Sequence, residues 1–199
     1  MSRRFLALGD SYTIGEGVEA SGRWPVQLSA ALAAEGLPVV APEIIAVTGW
    51  TTDELDAAIT TTAPEGPYAL VTLSIGVNNQ YRGRSLVEYE AQFSALLLRA
   101  AGFAERVAER VIVLSIPDWG VTPFAEGRDR ASIAFEIDAF NAVARDVVWE
   151  AGAAWLDITG ISREPHDEWF AADGLHPSAA QYAQWAARAL PVARRALAP

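Results

Sequence analysis

The 199-residue chain has no cysteine, no lysine and only two histidines, His166 and His176. Without a thiol there can be no disulfide framework, no cysteine nucleophile and no cysteine-rich zinc or iron–sulfur site. A histidine general base must be one of those two residues. No run of about 18 apolar residues occurs, so no membrane insertion is expected. Ser2-Arg3-Arg4-Phe5-Leu6 has the outward form of a twin-arginine export signal. Such a signal needs an apolar stretch of roughly 7–15 residues behind it, whereas here the run stops at Gly9-Asp10 and reads as the first strand. A cytoplasmic location is the expectation.

Positive charge is also scarce. All 15 basic residues are arginine, set against 25 acidic ones, for a formal net charge of −10. Nucleic acid and anionic membrane surfaces attract clustered cations, so neither is expected as the main partner; a neutral or cationic one is easier to accept. What is present is the composition of a globular protein, 51% hydrophobic and 20% charged. The length suits a single domain over residues 1–199 with a sizeable core.

Short β-rich runs alternate with longer helical periods. The runs 4–8, 43–47, 69–75, 111–116 and 153–158 read as strands, several of them apolar enough to be buried on both sheet faces. Between them, Trp24, Leu28, Ala31 and Leu32 share a helical face. So do Leu86, Tyr89, Phe93, Leu96 and Leu97, and then Ile133, Ile137, Phe140, Ala144 and Val147. A last helix is expected from Pro177 to about Leu190, ahead of Pro191. Residues 60–67 and 117–129 read as loops. The alternation implies right-handed βαβ crossovers, hence an α/β single-domain three-layer α/β/α sandwich around a five-stranded, mainly parallel sheet. Ligands of such folds bind beyond the carboxyl ends of the strands, so the loops there hold the candidate residues.

After the first strand comes Gly9-Asp10-Ser11, where a serine at a helix start has its hydroxyl facing the crevice and its N–H free for an anion. It is a seat for a nucleophile, or simply a capping serine. Neither G-x-G-x-x-G nor the P-loop pattern occurs, which disfavours a nucleotide. Thr48-Gly49-Trp50-Thr51-Thr52-Asp53 follows the second strand and Gly76-Val77-Asn78-Asn79-Gln80 the third. Glycine permits close approach to a ligand, and an asparagine amide could face the same crevice or serve only its turn. Near the end stands Asp173-Gly174-Leu175-His176-Pro177. A carboxylate three residues before a histidine can fix the ring tautomer and leave the other nitrogen to take a proton. The same residues could be a capped loop, or with His166 a metal site, although the spacing of metal-binding histidines is missing. His166 lies in a charged, proline-containing loop beside Asp167 and Glu168, with no nucleophile nearby.

In combination and order, these four segments resemble the GDSL, or SGNH, hydrolase family of lysophospholipase-like esterases, from Gly9-Asp10-Ser11 to Asp173-Gly174-Leu175-His176-Pro177-Ser178. The resemblance implies a flavodoxin-like topology, with Ser11 as nucleophile, His176 as general base and then acid, and Asp173 orienting it. It further implies an oxyanion hole from the N–H groups of Ser11 and Gly49 and the amide of Asn78, with no metal or cofactor. One departure is Asn79, where the family usually has aspartate; contacts of that carboxylate to neighbouring loops are thereby put in question. The G-x-S-x-G elbow of α/β-hydrolases is absent, since Thr13 replaces its second glycine.

The expected activity is that of a serine esterase acting on a small or lysophospholipid-type acyl ester or thioester through an acyl-Ser11 intermediate. The alternative is a binding module without turnover on the same fold. A histidine base must be neutral, so activity should rise with pH through the range where histidine titrates. Tyr12, Trp50, Tyr81, Trp119 and Phe124 lie in strand-end loops and could wall the substrate pocket, or pack into the core. Arg82, Arg84 and Arg128 could meet an anionic substrate or face solvent. Neither the acyl chain length nor the oligomeric state can be read from the sequence.

Overall fold

A computed structural model describes residues 3–164, 166 and 168–198. Five strands, β1 (Phe5–Gly9), β2 (Glu43–Ala46), β3 (Leu70–Ser74), β4 (Val111–Leu114) and β5 (Ala154–Leu156), form one sheet in the order β2-β1-β3-β4-β5. Every pairing is parallel. The strands stop slightly short of the sequence expectation because the chain leaves the ladder early. Beyond β4 and β5, for instance, the Ser115 hydroxyl accepts the N–H groups of Ile158 and Thr159 at 2.8 and 3.0 Å. β1, β3 and β4 are buried along their whole length, as apolar strands covered on both faces must be.

The helices in chain order are α1 (Ser11–Ile14), α2 (Trp24–Ala34), α3 (Thr52–Thr62), α4 (Val77–Tyr81), α5 (Leu86–Phe103), α6 (Arg130–Ala151), α7 (Thr159–Arg163) and α8 (Ala179–Ala196). α2 packs on α8, while α3, α5 and α6 pack side by side as a second group. These are the two outer layers expected when the first crossover turns one way along the sheet and the next three turn the other. Trp24, Leu28 and Leu32 of α2 and Trp185 of α8 are wholly buried. Each such side chain contributes about 1.5–3 kcal/mol relative to leaving it in water. The helical faces hold with small shifts: Leu86 is 37% exposed, and Val148 rather than Val147 is buried.

Two expectations about helix ends are corrected. The last helix begins at Ala179, because Ser178 is its cap, its hydroxyl accepting the Gln181 N–H, while Pro177 bridges to Phe170. It also runs through Pro191 to Ala196. A proline removes one N–H and frees the carbonyl four residues back. Here both Pro191 and Ala187 are exposed, so water can satisfy that carbonyl while Ala189, Ala193 and Ala196 remain buried on the inner face. The second correction is α3, which reaches Thr62 into the segment read as a loop. Thr60 and Thr61 return their hydroxyls to the carbonyls of Asp56 and Ala57, at 2.9 and 3.0 Å. The expected loop 117–129 contains only short 3₁₀ turns. Among the described residues no helix is long and apolar enough to cross a membrane. Asp167, next to His166 in the charged loop, lies outside the described residues.

Candidate active site

The order β2-β1-β3 means that the chain leaves β1 to one side and returns to β3 on the other, so a crevice opens at the carboxyl ends of β1 and β3. Ser11 follows β1 and Asn78 follows β3 at that switch point. Gly9 ends β1 because nothing larger fits: a Cβ there would lie 2.5 Å from the Ser74 carbonyl oxygen at the end of β3. Asp10 then caps α1, its Oδ1 accepting the Tyr12 N–H at 3.0 Å. Ser11 is therefore the first residue of α1 and not its cap. Burial pushes the Asp10 carboxyl up to about 7, against the lowering effect of hydrogen bonds from the N–H groups of Tyr12 and of Asp10 itself. Among the described residues nothing accepts the Ser11 N–H, and the Ser11 hydroxyl has no hydrogen-bond partner.

Gly49 adopts φ +90°, a left-handed conformation that glycine takes without strain. Its carbonyl accepts from Arg82 Nη2 at 2.6 Å, and Arg82 is in turn paired with Glu54 at 3.3 Å. The Gly49 N–H likewise has no acceptor among the described residues. Asn78 uses one amide N–H on the Trp50 carbonyl at 2.9 Å, which leaves its second N–H available. Asn79 is completely buried and clamps the start of α3. Its Oδ1 accepts the Thr52 N–H at 3.1 Å, and its Nδ2 donates to the Thr52 hydroxyl at 2.7 Å. That hydroxyl passes its own proton to Gln92 Oε1. The loops after β2 and β3 are thus joined by a neutral chain of hydrogen bonds through Asn79 and Thr52.

Asp173 Oδ2 lies 2.6 Å from His176 Nδ1, while Oδ1 accepts the N–H groups of Leu175 and His176, both at 2.9 Å. Burial opposes the Asp173 charge, but these hydrogen bonds win and hold the carboxyl below the usual aspartate range. An ionised Asp173 can only accept, so in the neutral ring the proton sits on Nδ1 and Nε2 presents the lone pair. The loop is pinned from outside as well: Ala171 N donates to the His176 carbonyl at 2.8 Å and Phe124 N to the Gly174 carbonyl at 3.0 Å. The Tyr12 ring meets His176 edge-on with centroids 5.7 Å apart.

Ser11, Gly49, Asn78 and His176 line one cavity of about 240 Å³. Tyr12, Tyr81, Trp119 and Phe124 wall it. The Trp119 indole is fixed by Nε1 donating to Gln80 Oε1 at 2.8 Å, and its turn by Asp118, which accepts from Gly120 N and from Arg163 Nε, both at 2.8 Å. Trp50 does not join this wall. Its ring packs against the core and only its carbonyl, which accepts from Asn78, serves the site. Thr48, Val77 and Leu175 also line the cavity and were missed. Each stands immediately before Gly49, Asn78 or His176, which was the available signal. His166 is exposed and stacks on Trp169, centroids 5.1 Å apart, away from the cavity. Among the described residues no group of three or more His, Asp or Glu side chains could hold a metal ion. A larger depression of about 500 Å³ lies at the opposite, amino-terminal edge of the sheet, between Arg4, Tyr68 and Leu197, and brings no nucleophile and base together.

A buried serine and an aspartate-held histidine thus line one cavity with Gly49 and Asn78. The model of the GDSL-like lipase/acylhydrolase family matches residues 7–184. The chain belongs to that family. It is a serine hydrolase of ester bonds, and its α/β/α sandwich is the family's fold. Among solved structures it resembles TesA, with 22% identity, 98% of this chain and 100% of that chain covered, and a TM-score of 0.78. A lipase/acylhydrolase from Enterococcus faecalis is 25% identical over 97% of this chain and 96% of that one, with a TM-score of 0.71. The SGNH-hydrolase family esterase AlinE4 is 19% identical over 100% and 98%, with a TM-score of 0.68. No curated protein sequence matches the chain.

Proposed function

We propose that the protein hydrolyses a small or single-chain, lysophospholipid-type acyl ester or thioester through an acyl-Ser11 intermediate. The observation that carries this reading is the 2.6 Å Asp173–His176 contact in a histidine that shares one cavity with Ser11, Gly49 and Asn78. Serine is a weak nucleophile until a neighbouring base removes its proton. His176 Nε2 takes that proton as Ser11 Oγ bonds to the acyl carbon, and the carbonyl oxygen becomes an oxyanion. The N–H groups of Ser11 and Gly49 and the free amide N–H of Asn78 stabilise it, each donor being worth on the order of 10²–10³ in turnover. Collapse breaks the bond to the leaving oxygen or sulfur, which receives the proton from His176. Water, deprotonated by the same nitrogen, then releases the acid and restores Ser11.

A cavity of about 240 Å³ sits at the small end for ligand pockets, and its apolar wall suits one short or medium acyl chain better than a bulky lipid. A series of p-nitrophenyl esters and matched thioesters of increasing chain length tests the reading. Turnover should peak at short to medium chains, fall by orders of magnitude in His176→Ala and survive in His166→Ala. Equal loss in both histidine variants would contradict the assignment, and a preference rising steadily to the longest chains would contradict the short-to-medium-chain reading of the cavity and leave the lysophospholipid-type ester.

A further inference from the structure

The three arginines near the strand-end loops have separate fates. Arg82 is tied to Glu54 and the Gly49 carbonyl, and Arg84 to Asp53 and Glu88 at 2.9 and 3.0 Å. Arg128 forms no ion pair among the described residues. Instead its guanidinium carbon stands 4.9 Å from the ring centroid of Phe124, 5.4 Å from Trp119 and 5.6 Å from Tyr81. Its one side-chain hydrogen bond is a long one, 3.4 Å, to the Tyr81 hydroxyl. The rings it covers are those that wall the Ser11 cavity, and Tyr81 and Phe124 are 48% and 40% exposed at its rim. An exposed arginine thus sits against the aromatic wall of the site, in a neighbouring depression that shares Tyr81 and Trp119 with the Ser11 cavity, held by aromatic rings in place of a carboxylate.

Contact with aromatic rings occupies no N–H donor as an ion pair would, so apart from the long bond to Tyr81 the donors remain free, in the fork that matches carboxylate, phosphate and sulfonate oxygens. It also restricts the side chain, so less freedom is lost when an anion binds. Asp129 and Glu136 border the same depression; Asp129 Oδ1 accepts from Ser132 N at 3.0 Å and Glu136 Oε2 from Gln80 Nε2 at 2.7 Å. Their charge weakens an anion's attraction, but neither is paired with Arg128 among the described residues. We propose that Arg128 is a specificity-determining residue, binding an anionic group on the part of an ester substrate that emerges from the Ser11 cavity. This rests on the reading of that cavity as the ester site.

The test compares matched esters that differ only in charge. On the alcohol side these are the butyryl esters of para-hydroxybenzenesulfonate and para-hydroxybenzenesulfonamide; on the acyl side, the phenyl monoester of suberic acid and that of its monoamide. At low salt the wild type should favour at least one anionic member over its neutral match by about three- to tenfold in kcat/KM, mostly through KM, and the preference should shrink as salt is added. Arg128→Gln should bring that ratio to about one, and Arg128→Lys should restore part of it. A ratio unchanged in Arg128→Gln would overturn the proposal. So would a wild-type preference for the butyryl ester of choline over all of these, which would make the three rings a seat for substrate cations. Failure of the wild type on every ester, neutral members included, would overturn the ester-site reading along with it.

Discussion

Asp10, buried beside the candidate nucleophile, gives a sharp test of the electrostatics around it. Its carboxyl is raised from an ordinary 3.8 to about 7, burial being the largest cause. Between those values the folded chain keeps a proton that the unfolded chain has released. Stability must therefore fall as pH rises through that window and stay lowered above it. About 3 units at about 1.36 kcal/mol each set a ceiling of about 4 kcal/mol. Asp10→Asn removes the charge and keeps an oxygen to accept the Tyr12 N–H, so the α1 cap survives. The variant should be more stable than wild type by about 2–4 kcal/mol at about pH 8, with little gain at about pH 4. Urea unfolding of both proteins at the two pH values measures the difference, because every other titrating group cancels between them. An equal effect at both pH values, or a loss at the higher one, would refute the reasoning.

Asp173→Asn should present an amide N–H to His176 Nδ1, forcing the proton onto Nε2; turnover should fall by roughly 10³–10⁴ while urea unfolding changes far less. Asn79→Ala strips the partners from Thr52 and should cost about 1–3 kcal/mol in urea unfolding, with kcat falling as the loops bearing Gly49 and Asn78 loosen. Asn79→Asp should keep most of both, because a carboxylate can accept from both groups of Thr52. Gly9→Ala drives a methyl to 2.5 Å from the Ser74 carbonyl and should lower the thermal midpoint by several degrees, corresponding to about 1–3 kcal/mol; an unchanged midpoint would contradict that packing.

The parts of this molecule that were legible in its sequence are those fixed by local physics. β1, β3 and β4 announce themselves as apolar runs because both of their faces are buried. Asp173 and His176 could be paired on paper because a carboxylate three residues away reaches one ring nitrogen without help from the rest of the fold. α1 and α4 were not separately visible, since helices of four and five residues are too short to display a period. Pro191 and the Thr60–Thr62 run gave misleading stop signals, overridden by an inner face that stays buried and by hydroxyls that bond back to the helix. The wall of the cavity was least accessible. Trp50 and Trp119 look alike as loop tryptophans, and only contacts distant in sequence separate them: Gln80 fixes the Trp119 indole at the site, while the Trp50 ring packs against the core. The same holds for Arg128, whose aromatic neighbours come from the end of α4 and from the 117–129 segment.

The central claim is that an acyl group is carried on Ser11, and covalent trapping tests it most directly. Wild type and Ser11→Ala would be treated with an alkyl p-nitrophenylphosphonate, followed by intact-mass measurement and peptide mapping. The expected result is one phosphonyl group per wild-type chain, on the peptide bearing Ser11, released p-nitrophenol in equal amount, and no adduct in Ser11→Ala. Stoichiometric labelling of Ser11→Ala at another residue would contradict the account.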